Sequence, residues 1–363
     1  QKEVDEGDFR EVITLKEKNY FFKMSKYQQD LIEHINNNDS FILPSSRRNE
    51  ILGFLDKPLK DLCISRPKSR LSWGIEIPFD NDYVTYVWFD ALLNYVTALG
   101  MEDENGKFSD FWPANLHLIG KDILTTHCVY WPTMLMAIGL KLPKTILAHG
   151  WWMSNEDKMS KSIGNVVDPL EIINKHGSDA LRFYLMRNMV VGMDSNYSYE
   201  SFVERYNSDL ANDYGNLINR ITMLIKKNFD NRVPPTNKLE DLDRELISNV
   251  NRKLSSIQQT IKELKIHNLI ENSISTLRLL NKYLEVRVPW KLVKQGEEEI
   301  ELAATTLSIS ANILVLSSKI LNPIMPKKTK LILNIFNTNC NKISNKIDLL
   351  NQIKPNTKLK NLN

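Results

Sequence analysis

At 363 residues the chain has length for about two domains, and with 42% hydrophobic and 25% charged residues it can bury a core. No membrane span is read, since the apolar run Thr305 to Ile320 is broken by Ser308, Ser310 and Asn312, and the acidic opening QKEVDEGDFREV excludes a secretory signal there. The formal net charge of +3 conceals a split: residues 1–205 hold 23 Lys and Arg against 29 Asp and Glu, residues 206–363 hold 24 against 15, so the second half is the one suited to polyanions.

In chain order, Phe22, Tyr27, Leu31 and Ile35 follow a 3.6-residue period, which predicts a helix over 19–36. A Pro-, Ser- and Arg-rich stretch, LPSSRRNE, separates it from a second short helix. From Trp73 to Gly150 short β-like runs alternate with helical ones: DYVTYVWF, NLHLIG and KTILAHG read as strands. That alternation predicts parallel strands with crossover helices, the doubly wound α/β class. Asp168 and Pro169 read as the N-cap and first position of a helix that Gly177 ends. Beyond Tyr206 nearly everything reads as helix, with Leu210, Tyr214, Leu217, Ile221 and Leu224 on one stripe, and further stripes around 245–287 and 298–321, so a bundle is expected. The Asn- and Lys-rich tail from Asn337 is expected to pack loosely. Cys63, Cys128 and Cys340 are far apart and odd in number, which argues against a disulfide framework or a local zinc site and fits a reducing cytoplasm.

The tetrapeptide Lys-Met-Ser-Lys occurs twice, at 23–26 and at 158–161. The first copy runs into the glycine-free YQQDLIEHI, so Lys23 and Lys26 are expected as plain helix-surface charges. The second follows a strand ending at Gly150 and precedes Gly164, which permits non-helical backbone. Two lysines on a loop beside a strand's carboxyl end can neutralise a phosphate chain as charge develops on it.

DKMSKSIGN resembles the signature loop of class I aminoacyl-tRNA synthetases. Together with YVWFDALLNY, FWPANLHLIGKDILTTHCVYWPTMLMAIGL, LAHGWW and NVVDPLEIINKHGSDALRFYLMRN, in order from about Tyr20 to beyond Trp290, it is similar to the methionyl-tRNA synthetases. The resemblance implies the second half of a class I doubly wound parallel-sheet catalytic domain followed by a helical-bundle anticodon-binding domain. The expected division is 1–72 for the end of a connective insertion, 73–205 for the second half of the nucleotide-binding domain and 206–363 for the bundle.

The same resemblance assigns roles. Lys158 and Lys161 would stabilise pyrophosphate. Asp122, in Gly120-Lys121-Asp122, would hold methionine and adenylate, with Arg66 as its neighbour, although on residue type alone Asp122 is a helix cap and Arg66 a surface charge. Ile123, His127 and Trp131 are spaced i, i+4, i+8 and Ala91 and Tyr95 i, i+4; by themselves these stripes read as core. With the resemblance, Trp88, Ala91, Tyr95, Ile123, His127 and Trp131 become walls of a methionine pocket, where aromatic faces suit a polarizable thioether. Leu92 stands where some family members have proline, which leaves the pocket contour open. Gly120, His149, Gly150 and Trp152 would hold ATP, in backbone contacts as much as side chains. Asn216, Arg220 and Trp290 would read the CAU anticodon of a methionine tRNA by hydrogen bonding and stacking.

The implied cofactors are ATP and Mg2+, with zinc not supported by the residues present; the implied partners are methionine, ATP and methionine tRNA, with no membrane and no signal for an oligomeric state. None of His34, His117, His127, His149, His176 and His267 forms the family's His-x-x-His motif. The resemblance therefore places residue 1 inside the connective insertion, and this polypeptide alone is expected not to catalyse methionine-dependent pyrophosphate exchange. Two other readings stay open here: a class I synthetase for leucine, isoleucine or valine, and a non-catalytic tRNA-binding module.

Overall fold

The computed structural model describes residues 17–101, 103, 106–154, 157–159, 164–340 and 348–360. The chain divides after His149 into two compact units. In the first, β1 (Phe21–Phe22) is followed by a 3-10 turn at Met24–Tyr27, α1 (Gln28–Asn37), β2 (Ile42–Leu43) and α2 (Ser45–Leu55). Then come β3 (Leu62–Cys63), β4 (Ser65–Pro67), β5 (Glu76–Ile77), β6 (Asp80–Thr85), α3 (Val87–Thr97), α4 (Phe108–Phe111), β7 (His117–Gly120), α5 (Trp131–Ala137) and β8 (Ile146–His149).

Strands β2, β8 and β7 form a parallel sheet in that order, with His117 and Gly120 opposite Ile146 and His149. Leu31 and Ile35, one turn apart on α1, pack with Ile51 and Leu55 of α2 against Ile119, Val129, Ile146 and Ala148, so the sheet is buried by apolar helix stripes. This parallel α/β arrangement is the expected class. The strands β4, β6 and β5, however, are antiparallel, and DYVTYVWF is not one strand. Its strand ends at Thr85, Tyr86 is extended, and Val87 starts α3.

The helix expected over 19–36 begins only at Gln28, because Phe21 and Phe22 pair with Cys63 and Leu62. The first tetrapeptide copy therefore lies in the 3-10 turn and not in a helix. Met24 is buried, and the Ser25 hydroxyl donates to Asp61 at 2.7 Å, while Lys23 and Lys26 point to solvent as expected.

The second unit opens with β9 (Trp152–Ser154), β10 (Asp157–Lys158), α6 (Pro169–His176), α7 (Ser178–Asn188), β11 (Ser195–Tyr197) and α8 (Tyr199–Arg205). β9 pairs antiparallel with β10 and parallel with β11. Asp168 caps α6 by accepting the Leu170 N–H at 2.8 Å. A ten-residue π-helix, Tyr206–Gly215, then leads into α9 (Asn216–Asn228); its mark is the Asn216 N–H donating to Ala211, five residues back. The bundle continues with α10 (Asp241–Ser255), α11 (Ile257–Lys262), α12 (Ile266–Arg287), α13 (Pro289–Leu292), α14 (Glu297–Leu321) and α15 (Pro326–Ile335).

Helix α14 is long and apolar enough to cross a membrane, but 83% of its apolar window is buried, and it is the central helix of the bundle. Glu297, Glu298 and Glu299 sit in its first turn, where the helix dipole favours them. The polar residues that interrupt it have partners: Ser310 donates to Thr306, and the Asn312 carboxamide accepts the N–H groups of Gln352 and Ile353 at 2.8 and 2.9 Å. Over 348–360 those bonds correct the expectation of a loose tail, while 341–347 and 361–363 lie outside the described residues. Leu349, Ile353 and Leu359 are buried in the bundle core, and the Leu359 N–H donates to Asn231.

Candidate functional site

In the first unit, α3 carries Trp88, Ala91 and Tyr95 on successive turns, with Trp88 37% exposed and the other two half-buried. After β7 the chain makes a 3-10 turn, Lys121–Ile123, and then a π-turn, Thr126–Tyr130, before α5. The expected even stripe of Ile123, His127 and Trp131 is thus not one regular helix. His127 and Trp131 still meet Tyr95. The Tyr95 ring lies 5.8 Å from those of both His127 and Trp131, and the His127 Nδ1 faces the Ile123 carbonyl at 3.1 Å.

That carbonyl can only accept, so Nδ1 carries the proton and the Tyr95 hydroxyl donates to Nε2 at 3.0 Å. Burial lowers the His127 pKa and raises that of Tyr95, so both groups are neutral at pH 7. Trp131 is fully buried, backed by Trp112 at 6.0 Å, and donates its indole N–H to His117 Nε2 at 3.3 Å. The result is an uncharged group of Tyr95, His117, His127 and Trp131.

His117 is the residue that sequence reasoning missed. It begins β7, three residues before Gly120, with its ring 4.4 Å from that of Tyr95. Its signal was available in the alternation of β7, where His117 and Ile119 are the inward positions. Burial, and then the neighbouring His127, push its pKa down to about 4. An unfolded chain takes up this proton near pH 6.5 whereas the folded unit stays neutral until about 4. Stability from His117 is therefore complete above pH 6.5 and is lost as pH falls toward 4, about 3 kcal/mol in all. Urea unfolding of wild type and His117→Asn at pH 7 and pH 4.5 should show a smaller loss on acidification in the variant; equal losses would remove His117 as the cause.

Asp122 is exposed at the carboxyl end of β7, and a Cβ on Gly120 would meet its Oδ1 at 2.5 Å. Gly120 and His149 are opposite each other on β7 and β8. Arg66, on β4, lies over the Tyr86 ring at 4.5 Å and donates to the Cys63 sulfur and the Ser65 carbonyl; among the described residues it forms no ion pair with Asp122.

In the second unit, Gly150 is buried with the Met193 carbonyl 2.0 Å from where its Cβ would be, so no side chain fits there. Trp152, the first residue of β9, packs 5.9 Å from Tyr184. Lys158 is exposed on β10 with its ammonium 3.9 Å from the Trp151 ring centre, and Asn165 donates to its carbonyl at 3.2 Å. Lys161 lies outside the described residues. Gly164 has φ +73, the backbone the sequence reading expected of it.

Asn216 is exposed as the first residue of α9, and Arg220, one turn on, lies with its guanidinium 5.7 Å from the Trp290 ring on α13. The two line a shallow cavity of about 370 Å³ with Met223 and Leu224. Arg220 Nη1 is buried without a partner there. The bundle thus presents a cation, an exposed amide and an aromatic ring on one face. Among the described residues no group of three His, Cys, Asp or Glu side chains could hold a metal ion.

Residues 10–222 match the family model described as tRNA synthetases class I (M), and the chain belongs to that family. Residues 233–361 match the anticodon binding domain of methionyl tRNA ligase. The methionine–tRNA ligase of Fusobacterium nucleatum is 42% identical over 327 residues, 90% of this chain and 51% of the relative. That of Clostridium acetobutylicum is 43% identical over 331 residues, with 90% and 51% covered. The crystal structure of Mycobacterium tuberculosis methionyl-tRNA synthetase bound by methionyl-adenylate superposes with a TM-score of 0.88 at 38% identity, covering 95% of this chain and 68% of that one. The chain spans about half the length of the curated relatives it matches.

Proposed function

We propose that the protein carrying this chain activates methionine with ATP to methionyl-adenylate and transfers the methionyl group to the 3′ end of methionine tRNA. The observation that carries this reading is the Tyr95–His127–Trp131 group, positioned by hydrogen bonds and, with His117, kept uncharged by burial. A thioether gains from polarizable aromatic contact and loses nothing to a desolvated charge there. In this reading Trp88, Ala91, Tyr95 and Ile123 touch the side chain of methionine while His127, Trp131 and His117 fix their geometry. Asp122 takes the amino group or ribose, with Arg66 in support. Gly120, His149, Gly150 and Trp152 contribute to ATP binding, and Lys158 and Lys161 neutralise the departing pyrophosphate. Mg2+ would arrive with the ATP phosphates. The division 1–72, 73–205 and 206–363, and a cytoplasmic setting, belong to the same reading.

Methionine-dependent ATP–pyrophosphate exchange by the whole protein that carries this chain, with leucine, isoleucine and valine as competitors, tests the activation step. Methionine should outcompete each branched amino acid by at least about a hundredfold, because a fitted apolar pocket discriminates by roughly 1–3 kcal/mol per misplaced methylene. Equal use of isoleucine or valine would assign another synthetase of the class.

For the tRNA, Trp290→Ala should weaken binding by roughly tenfold, the loss of about 1–3 kcal/mol from one stacked base. A filter-binding titration reads this directly. Unchanged affinity in Trp290→Ala would move the tRNA off this face.

A further inference from the structure

We infer that Arg278 is a positioning residue for anticodon reading: it locks the π-helix Tyr206–Gly215 against α12 and so sets the rotation of α9 that brings Arg220 onto Trp290. The inference rests on the anticodon reading of Asn216, Arg220 and Trp290 given above. The two reading elements come from separate parts of the bundle. Asn216 and Arg220 stand on α9, which continues the π-helix without a break. Trp290 follows the end of α12 by way of Val288, held at φ +43, and Pro289.

Arg278 links the two. From α12 its Nε donates to Asp213 Oδ2 at 2.6 Å and its Nη2 to Asp209 Oδ1 at 2.7 Å. Asn281, one turn further along α12, donates to the main-chain carbonyl of Asp213 at 3.0 Å. Asp209 is fully buried, and its other oxygen faces Arg187 of α7 at 3.6 Å and Arg205 of α8 at 3.7 Å. A carboxylate out of water is tolerated only with cations around it, so Asp209 must stay where these arginines meet. Of these three arginines Arg278 alone also holds the Asp213 carboxylate, four residues on, and two fixed points on one winding segment determine its twist.

The consequence follows from helix geometry. A π-turn carries one residue more than the α-turn it replaces, and one residue is about 100° of rotation. If the segment relaxed toward an α-helix, α9 would turn about its axis by steps of that size. Arg220 would then leave the Trp290 face, and the exposed Asn216 amide would point elsewhere. The Arg278 fork is suited to this task because a planar guanidinium spans two carboxylates, whereas an ammonium is a single point of charge.

The test compares a methionine tRNA with the same tRNA carrying one altered anticodon base, measuring the ratio of dissociation constants for Arg220→Ala, Arg278→Ala, Arg278→Lys and the Arg220→Ala/Arg278→Ala pair. Arg278→Ala is expected to lose about tenfold in that ratio, the scale of one charge-assisted hydrogen bond, and the pair to be no worse than Arg220→Ala alone. Arg278→Lys keeps a cation beside Asp209, so its unfolding midpoint should match wild type while its discrimination falls as in Arg278→Ala. Full discrimination in Arg278→Ala or in Arg278→Lys, or additive losses in the pair, would overturn the inference while leaving the anticodon reading intact. Should Arg220→Ala itself discriminate normally, the anticodon reading fails and the inference falls with it.

Discussion

In the whole protein that carries this chain, Lys158→Ala is expected to slow methionine-dependent pyrophosphate exchange a hundredfold or more, with the loss in kcat and little change in KM for ATP. The magnitude is that of removing one donor aimed at charge that develops in a transition state. The structure gives a reason for the split between kcat and KM. The Lys158 ammonium forms no ion pair among the described residues and rests over the Trp151 ring at 3.9 Å. A cation–π contact at an exposed site contributes about 0.5–1 kcal/mol, so the side chain leaves the ring at small cost once a stronger anion forms. Its backbone is steadied meanwhile by the β9–β10 pairing, with Lys158 opposite Met153, and by Asn165. A group that engages only when the pyrophosphate separates lowers the barrier without tightening the ground state. A variant with normal kcat and raised KM for ATP would instead make Lys158 a ground-state ligand. Lys23→Ala, in the first tetrapeptide copy, serves as the internal comparison and should leave exchange unchanged, since that lysine is exposed beside a 3-10 turn pinned by Ser25 and Asp61.

The two copies show what a string of residues can and cannot specify. Both read Lys-Met-Ser-Lys, and the glycine that follows the second, Gly164, has the left-handed φ that only its own sequence context announced. The backbone of the first was misread, because a two-residue strand at Phe21–Phe22 leaves no periodicity of its own and merged with the stripe of α1. Strand direction was likewise illegible between Trp73 and Thr85. An apolar run records burial, while the antiparallel pairing of β6 depends on partners at 65–67 and 76–77. Neither π-helix left a trace either. The stripe Leu210, Tyr214, Leu217 satisfies an α-helical pattern, and the π form is linked to contacts 65 and 69 residues away in sequence, from Arg278 to Asp213 and Asp209. The tail was judged on composition, whereas three leucine and isoleucine side chains and one buried asparagine decide its packing. By contrast, the Asp168 cap, the Gly164 conformation and the strand leading to Gly120 were all legible, since each depends on neighbours in sequence.

Arg287→Ala should destabilise the second unit by about 3–5 kcal/mol, the cost of leaving a buried charge without its partner. For a folding unit of this size that corresponds to a melting temperature lower by roughly 10 °C. Arg287, the last residue of α12, is 9% exposed and bonds both Glu240 and Asp243, the latter at 2.7 Å. Asp243 is fully buried on α10, where its other oxygen accepts the Glu240 N–H in a capping box and its Oδ1 also accepts the Tyr283 hydroxyl at 2.6 Å. Burial, and then that hydrogen bond to Asp243, raise the Tyr283 pKa, so the phenol remains a donor at any working pH and cannot replace the cation. Denaturant unfolding should show a lower midpoint at unchanged slope, as for a lost interaction in an intact native state. Asp243→Asn in the Arg287→Ala background separates this account from lost packing. The second change removes the stranded charge, so it should recover part of the stability if the charge is the cause and lose more if the side-chain stem of Arg287 is what matters. The same residue ends the helix one step before Val288, whose left-handed φ is costly for a β-branched side chain. Holding Arg287 to α10 keeps that turn in place, and with it the position from which Trp290 meets Arg220. Arg287→Ala is therefore expected to weaken tRNA binding as well as the fold. Conditions that restore the fold, such as a stabilising osmolyte, should restore the binding together with it.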